Sequence, residues 1–159
     1  MAFSKLIKKT ILSPNYAKRT EKVCKITPHH AAGVLTAERL ASIFTPTKRE
    51  ASCNYAIGND GTIIGVVDED NRAWTSNSRW NDNQAVTIEV SNSATGGNWP
   101  VSNAALESLI KLCVDICQRH GMKKLEFTGD KNGSLTMHQM YVATTCPGPY
   151  LKSKFPYIA

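Results

Sequence analysis

Four histidines and five cysteines are scattered through 159 residues, yet three of those histidines and one cysteine fall in two short segments. The first is Thr27-Pro28-His29-His30; the second runs from His138 to Cys146-Pro147-Gly148. Imidazole and thiolate are the side chains zinc prefers, and three protein ligands with one open position are a hydrolase's way of making hydroxide at neutral pH. The paired Cys-x-x-Cys spacing of a closed structural zinc site is absent from the sequence. His138 and Cys146 are too far apart for neighbouring turns of one helix, so the chain between them must loop back. Pro147-Gly148 suits that return, since proline fixes φ and glycine tolerates unusual backbone angles. The fourth histidine, His120, stands beside Gly121 where a helix should end, and attraction to the helix C-terminus accounts for it.

Glu89 is the second chemical signal. It interrupts the apolar run Val86-Thr87-Ile88-Glu89-Val90, and burying a carboxylate is costly without a partner. Either it works on a proton in a site, or it faces solvent on an edge strand.

The elements that must position these groups follow from periodicity. Val23–Thr27 alternates and predicts a strand whose end delivers His29. Thr36–Phe44 predicts a helix with Thr36 as N-cap and Leu40, Ile43 and Phe44 on one face. Asn59-Asp60-Gly61 predicts a hairpin turn between strands at Tyr55–Ile57 and Thr62–Val67. Residues 68–84, with Trp74 and Trp80 among polar side chains, predict a long surface loop of the kind that carries function. Ala85–Val90 predicts a strand, and Asn103–His120 the clearest helix, capped by Asn103, ended by Gly121, and apolar at Leu106, Leu109, Ile110, Cys113, Val114 and Cys117. Cys113 and Cys117 read as small core hydrophobes. A strand at Leu125–Thr128 and a short helix or tail from Tyr150 complete the reading, and residues 1–22 are expected to be an irregular or partly helical lead-in. Strands interleaved with helices predict an α/β domain.

Four separated motifs in order resemble the type 2 family of zinc-dependent N-acetylmuramoyl-L-alanine amidases, which includes phage endolysin catalytic domains and peptidoglycan recognition proteins. They are Ile26–Gly33 with its His-His pair, the Ser52–Ile63 hairpin with its Asp-Gly turn, the Val86–Asn92 strand with its Ile-Glu, and the His138 to Cys146-Pro147-Gly148 segment. Together they cover roughly residues 23–150. The resemblance implies a central mixed β-sheet flanked by helices, with His29, His138 and Cys146 as Zn2+ ligands. It implies cleavage of the amide between N-acetylmuramic acid and the L-alanine of the stem peptide by zinc-activated water, with Glu89 as general base. The alternative on the same fold is a peptidoglycan-binding module that does not cleave. Many relatives carry a tyrosine where this chain has Cys53, and some a lysine where it has Thr144; Thr144 keeps a hydroxyl that can serve as an oxyanion donor. His30, on the opposite strand face from His29, is expected to pack or to line the substrate groove with Arg72, Trp74, Trp80 and Asn81.

Composition bounds the rest. The chain is expected to be a single domain over residues 1–159, with its core in 23–150 and a tail at 151–159, burying roughly 70% of the unfolded surface. A net charge of +6 implies an anionic partner. The basic residues form no stripe interleaved with aromatics, which argues against nucleic acid and is equally consistent with an anionic cell wall. An odd cysteine count without dense spacing argues against a disulfide framework and for synthesis in a reducing cytoplasm. Lysines at positions 5, 8 and 9 interrupt any apolar signal segment, and no stretch is long enough for membrane insertion. A monomer is expected, reaching the wall through a holin pore as endolysins of the family do.

Overall fold

The computed structural model describes residues 2–159. Its centre is a five-stranded mixed sheet built from β1 (Lys9–Thr10), β3 (Lys25–His30), β4 (Tyr55–Ile57), β5 (Ile63–Gly65) and β7 (Ala85–Val90), in the order β1-β5-β4-β7-β3. β4 and β5 form the antiparallel hairpin, whereas β4 with β7, β3 with β7 and β1 with β5 are parallel. Gly61 adopts φ +87° and Asp60 Oδ1 accepts from the Thr62 N–H, the turn chemistry expected of Asp-Gly.

Parallel strands need crossovers, and the helices supply them. β7 shows how alternation divides the chain: Val86, Ile88 and Val90 face one side, Thr87 and Glu89 the other. On the first side α3 (Asn103–Arg119) and α4 (Pro149–Ile158) close a large apolar core with Ile26, Tyr55, Ile57, Leu109, Leu112, Ile116, Leu151 and Phe155. On the second side α1 (Ala37–Ser42) packs Ala37, Leu40 and Ala41 onto Cys53, Ala56 and Ile64 in a smaller core. The result is the mixed sheet flanked by helices that the resemblance implied.

Several expectations need correction. Residues 1–22 contain two strands: β1 pairs with β5, and β2 (Tyr16–Lys18) pairs antiparallel with β6 (Asn71–Ala73). The predicted 68–84 loop therefore holds β6, and it also holds α2 (Arg79–Gln84), whose N-cap Ser78 accepts from the Asn81 N–H. Strands this short draw their stability from distant partners, which no local pattern reveals. Leu125–Thr128 is not a strand; Glu126 O accepts from the Ser134 and Leu135 N–H groups, and it is the Ser134–Thr136 segment that meets β3, through the bridge Ile26–Leu135. The cap of α3 is Ser102 rather than Asn103, and its buried stripe includes Leu112 and Ile116, while Val114 is exposed. In α1 the buried face is Ala37, Leu40 and Ala41 with Phe44 just beyond, and Ile43 turns outward. The short C-terminal helix expected from Tyr150 is present as α4, and Leu151, Phe155 and Ile158 carry it into the core, so 151–159 is not a tail.

His120 does stand at the C-cap of α3, and its Nε2 also lies 2.5 Å from the carboxylate of Glu69. Glu69 is buried and further receives the Tyr55 hydroxyl and two Arg119 N–H groups, at 3.1 and 2.7 Å. Burial alone would raise the Glu69 pKa; the hydrogen bonds from His120, Arg119 and Tyr55 outweigh it and hold the carboxyl below its ordinary 4.5. This cluster ties the loop after β5 to the end of α3. A depressed carboxylate contributes stability that is complete above its unfolded pKa and is lost as pH falls through the folded one. Melting temperature of the parent should therefore drop as pH falls below 4.5. Glu69→Gln should be less stable at neutral pH by about 3 kcal/mol, and so melt lower, with a shallower acid slope than the parent. Parallel pH–melting curves for the two proteins would remove Glu69 from this role.

Candidate metal centre

The sheet's second face carries the chemistry at the C-terminal ends of β3 and β7. Three Thr-x-acid/base triplets converge there: Thr27-Pro28-His29, Thr87-Ile88-Glu89 and Thr136-Met137-His138. Thr27 is the register partner of Thr87, and His29 of Glu89. The third triplet runs beside β3, where the Thr136 N–H donates to Ile26 O and the Thr136 and Thr27 hydroxyls lie 2.9 Å apart. Two residues further along each chain, the rings of His29 and His138 meet edge to face with centroids 4.8 Å apart.

Cys146 completes the group. Its Sγ lies 3.4 Å from His29 Nδ1, and one donor atom from each of His29, His138 and Cys146 falls within 4.8 Å of the others. Among the described residues this is the one cluster of three or more histidine, cysteine or acidic side chains arranged to hold a metal. The intervening chain loops as its length requires, through a 3-10 turn at His138–Met140. It closes where Gly148, at φ +83°, donates its N–H to Thr145 O. A Cβ at Gly148 would press on His30 Nδ1 at 3.0 Å, so glycine is needed for space as well as for conformation.

The donor set fits zinc. With usual bond lengths of roughly 2.0–2.1 Å to nitrogen and 2.3 Å to sulfur, a tetrahedral ion separates N and S by about 3.6 Å, close to the 3.4 Å between His29 and Cys146. Nε2 of His138 is buried without a hydrogen-bond partner, which leaves it to a metal. Burial pushes the His29 pKa well down, with His138 and His30 adding to it, and burial lowers His138 as well while the Ser76 backbone opposes. Both imidazoles are thus held neutral, the form that ligates. Burial, then the Glu89 carboxylate, push the Cys146 thiol far up, so a nearby cation is what would favour its thiolate.

β7 lies between β4 and β3, which removes an edge-strand position for Glu89. Glu89 is the one residue of β7 left partly open, and among the described residues its carboxylate has no hydrogen bond or ion pair. Burial raises its pKa to about 8, with the Arg49 guanidinium pulling the other way. Cys53, fully buried, directs its thiol to the Glu89 backbone and is not available to a substrate. Thr144 is exposed, and its Oγ1 accepts from the Cys146 N–H at 3.3 Å, leaving its own hydrogen free to donate.

The remaining candidates divide. His30 points away from His29, packing edge to face on Trp99 at 5.5 Å with Asn92 Nδ2 3.3 Å from its Nδ1. Asn81 is buried and donates to Thr27 Oγ1, so it braces the ligand strand rather than lining an open groove. Arg72 and Trp74 line a cavity of about 400 Å3 with Glu50, Asn77, Arg79 and Asp82. Trp80 is 57% exposed. Sequence reasoning missed Thr27, Thr136 and Arg49; the repeated Thr-x-His was a visible signal for the first two.

A family model described as N-acetylmuramoyl-L-alanine amidase matches residues 19–149. The chain belongs to that amidase family, in its type 2 class. The fold agrees. The chain superposes on the structure of PlyL with a TM-score of 0.76 at 17% identity, covering 96% of this chain and 93% of that one. For the N-acetylmuramoyl-L-alanine amidase LysC from Clostridium intestinale URNW the TM-score is 0.62 at 18% identity, with 92% and 93% covered. For the Drosophila peptidoglycan recognition protein SA it is 0.64 at 14% identity, with 89% and 83% covered. No curated protein matches the sequence. No helix among the described residues is long and apolar enough to cross a membrane.

One zinc should bind per chain by elemental analysis, and Cys146→Ser should lose most of it, because a hydroxyl is a far poorer ligand than thiolate. Zinc at a hundred times its dissociation constant should raise the parent's stability by about 2.7 kcal/mol and leave Cys146→Ser nearly unmoved. A parent whose melting temperature ignores zinc would remove the assignment.

Proposed function

We propose that this amidase-family chain is a peptidoglycan hydrolase that cuts the amide between the lactyl carbonyl of N-acetylmuramic acid and the amino group of L-alanine. The observation that carries the reading is Glu89, without a partner among the described residues, on the strand beside His29 and within the field of Cys146. His29, His138 and Cys146 would hold zinc, which when bound polarises a carbonyl oxygen and acidifies water.

The chain's own residues divide the remaining work. Glu89, as carboxylate, takes the proton from the attacking water and returns it to the departing alanine nitrogen, so that one product gains a carboxylate and the other a free amine. The raised pKa suits the return of the proton, and a cation held by His29, His138 and Cys146 would favour the carboxylate that takes it. Thr144 directs its hydroxyl to the oxygen that becomes negative as water adds. The Thr27–Thr136 contact and Asn81 fix the spacing of the two histidine segments. Arg72 and Trp74 line a cavity of mixed charge, with Arg79, Glu50 and Asp82, that offers polar and aromatic contacts to a stem peptide. The positive net charge suits a wall rich in phosphate and carboxylate. In this reading the protein acts as a monomer on the cell wall after holin-mediated release.

A second reading, recognition without cleavage, is favoured by the likeness to the Drosophila recognition protein and by a Cys53 that cannot assist chemistry. A ligating cysteine and an unpaired glutamate have no use in a receptor, which weighs for hydrolysis.

Glu89→Gln should keep its zinc and fold and lower wall-lysis turnover by ~10² or more, whereas His29→Ala should lose both metal and turnover. Mass spectrometry of digested wall should find new L-alanine amino termini with the parent only. Lysis by Glu89→Gln at near the parent rate would remove Glu89 as base; a parent that binds wall and releases no such ends would favour the receptor.

A further inference from the structure

We infer that Trp99, with His30 and Asn92, forms an outer cage that seats the turn after Cys146 and so directs the Cys146 sulfur at the metal, a reading that rests on the zinc ligands assigned above. Of the three ligands, Cys146 has the least scaffold beneath it. His29 stands on β3, and His138 directly follows the segment that runs beside β3. Cys146 instead follows three exposed residues, Ala143–Thr145. On that side it has only local bonds, from its N–H to Thr144 Oγ1 at 3.3 Å and from the Gln139 N–H to its carbonyl at 3.2 Å.

The cage acts on the other side. Pro147 and Gly148 are buried, and a Cβ at Gly148 would stand 3.0 Å from His30 Nδ1 and 3.3 Å from Trp99 Cβ. Gly148 is thus wedged between side chains from two other segments. The rings of those residues meet edge to face at 5.5 Å, and the backbone N–H of His30, on the edge strand β3, bonds the Cys146 sulfur. Asn98 O accepts from the Tyr150 N–H at 2.9 Å, which satisfies a first-turn donor of α4 that the N-cap Gly148 has no side chain to reach. Asn92, fully buried on the chain that leaves β7, closes the cage. Its Oδ1 accepts from the Gly33 N–H at 3.1 Å, and its Nδ2 donates to Trp99 O at 3.0 Å and lies 3.3 Å from His30 Nδ1.

Backbone strain marks the same place. Trp99 has φ +54°, in the left-handed region that bulky side chains rarely adopt. Such a conformation persists where its surroundings over-determine it. Glycine would take it without strain, and what glycine would lack is the indole that packs on His30. The ring therefore serves the Cys146 turn rather than the loop that carries it.

Cobalt(II) tests this without hydrolysis, because thiolate-to-cobalt charge transfer gives an absorption band that reports on the Cys146 bond itself. Trp99→Gly should weaken cobalt binding roughly ten- to hundredfold and alter that band. Asn92→Ala should act in the same direction, and Trp99→Phe, which keeps a ring against His30, should stay near the parent. In the Cys146→Ser protein, at cobalt concentrations that load its two histidines, Trp99→Gly should bring no further loss, since the cage acts through the cysteine. Ile116→Val, which loosens α3 in the large core, should lower the melting temperature and leave affinity and band unchanged. Folded Trp99→Gly with the parent's affinity and band would overturn the cage, as would an equal loss in Ile116→Val; should Trp99→Gly not fold, Asn92→Ala decides by the same comparison. A parent that binds no cobalt would instead remove the metal centre, and the cage with it.

Discussion

The structure depends on one constraint, the parallel pairing of β3 with β7 in a register that sets His29 opposite Glu89. Side chains alternate along a strand, so that register assigns Ile26, Val86, Ile88 and Val90 to the large core and Thr27, His29, Thr87 and Glu89 to the other face. Slipping one residue would bury the carboxylate and the imidazole among α3 and α4 and expose isoleucine and valine to α1 and α2. The two large apolar helices therefore stabilise the fold and, by the same contacts, determine which face carries chemistry.

A polar face inside a sheet needs its hydrogen bonds met, and short side chains meet them here. Thr87 Oγ1 contacts Thr75 Oγ1 at 2.7 Å and Asn54 Oδ1 at 3.2 Å, while Asn54 Nδ2 reaches the carbonyl of Val67 at 3.0 Å. Thr27 is shared between Thr136 and Asn81. One layer deep, these threonine hydroxyls have partners; in the next layer the His138 Nε2 does not. The braces thus pair the threonine hydroxyls and leave a ligating nitrogen free for a metal.

How far this was legible in the sequence depends on the range of the interaction. α1, α3, the Asp-Gly hairpin and β7 follow from periodicity and local turn chemistry, and each lies within one or two residues of its predicted place. β1, β2 and β6 have three residues or fewer, and their pairing partners lie more than fifty residues away, so no window along the chain could reveal them. The ligand set was legible because rare residue types fell at telling places. The braces were less so, since threonine and asparagine are common and only their arrangement in space gives them meaning. Asn81 looked like a groove residue because its neighbours are polar and aromatic. In fact α2 turns it inward and leaves Trp80 outside.

The two glutamates in buried settings show how a protein of this size distinguishes structure from chemistry. Glu69 receives four hydrogen bonds from Tyr55, Arg119 and His120, and its pKa is held down despite burial. Glu89 receives none among the described residues, and its pKa rises to about 8. Supplying Glu89 with partners like those of Glu69 would stabilise the fold and remove the base, because a carboxylate satisfied internally gains little from accepting a proton. On the face that carries Glu89 the core is the smaller one, to which α1 contributes two alanines and a single leucine. The larger core on the opposite face, with α3 and α4 fully engaged, supplies the stability that lets the chemical face remain incomplete.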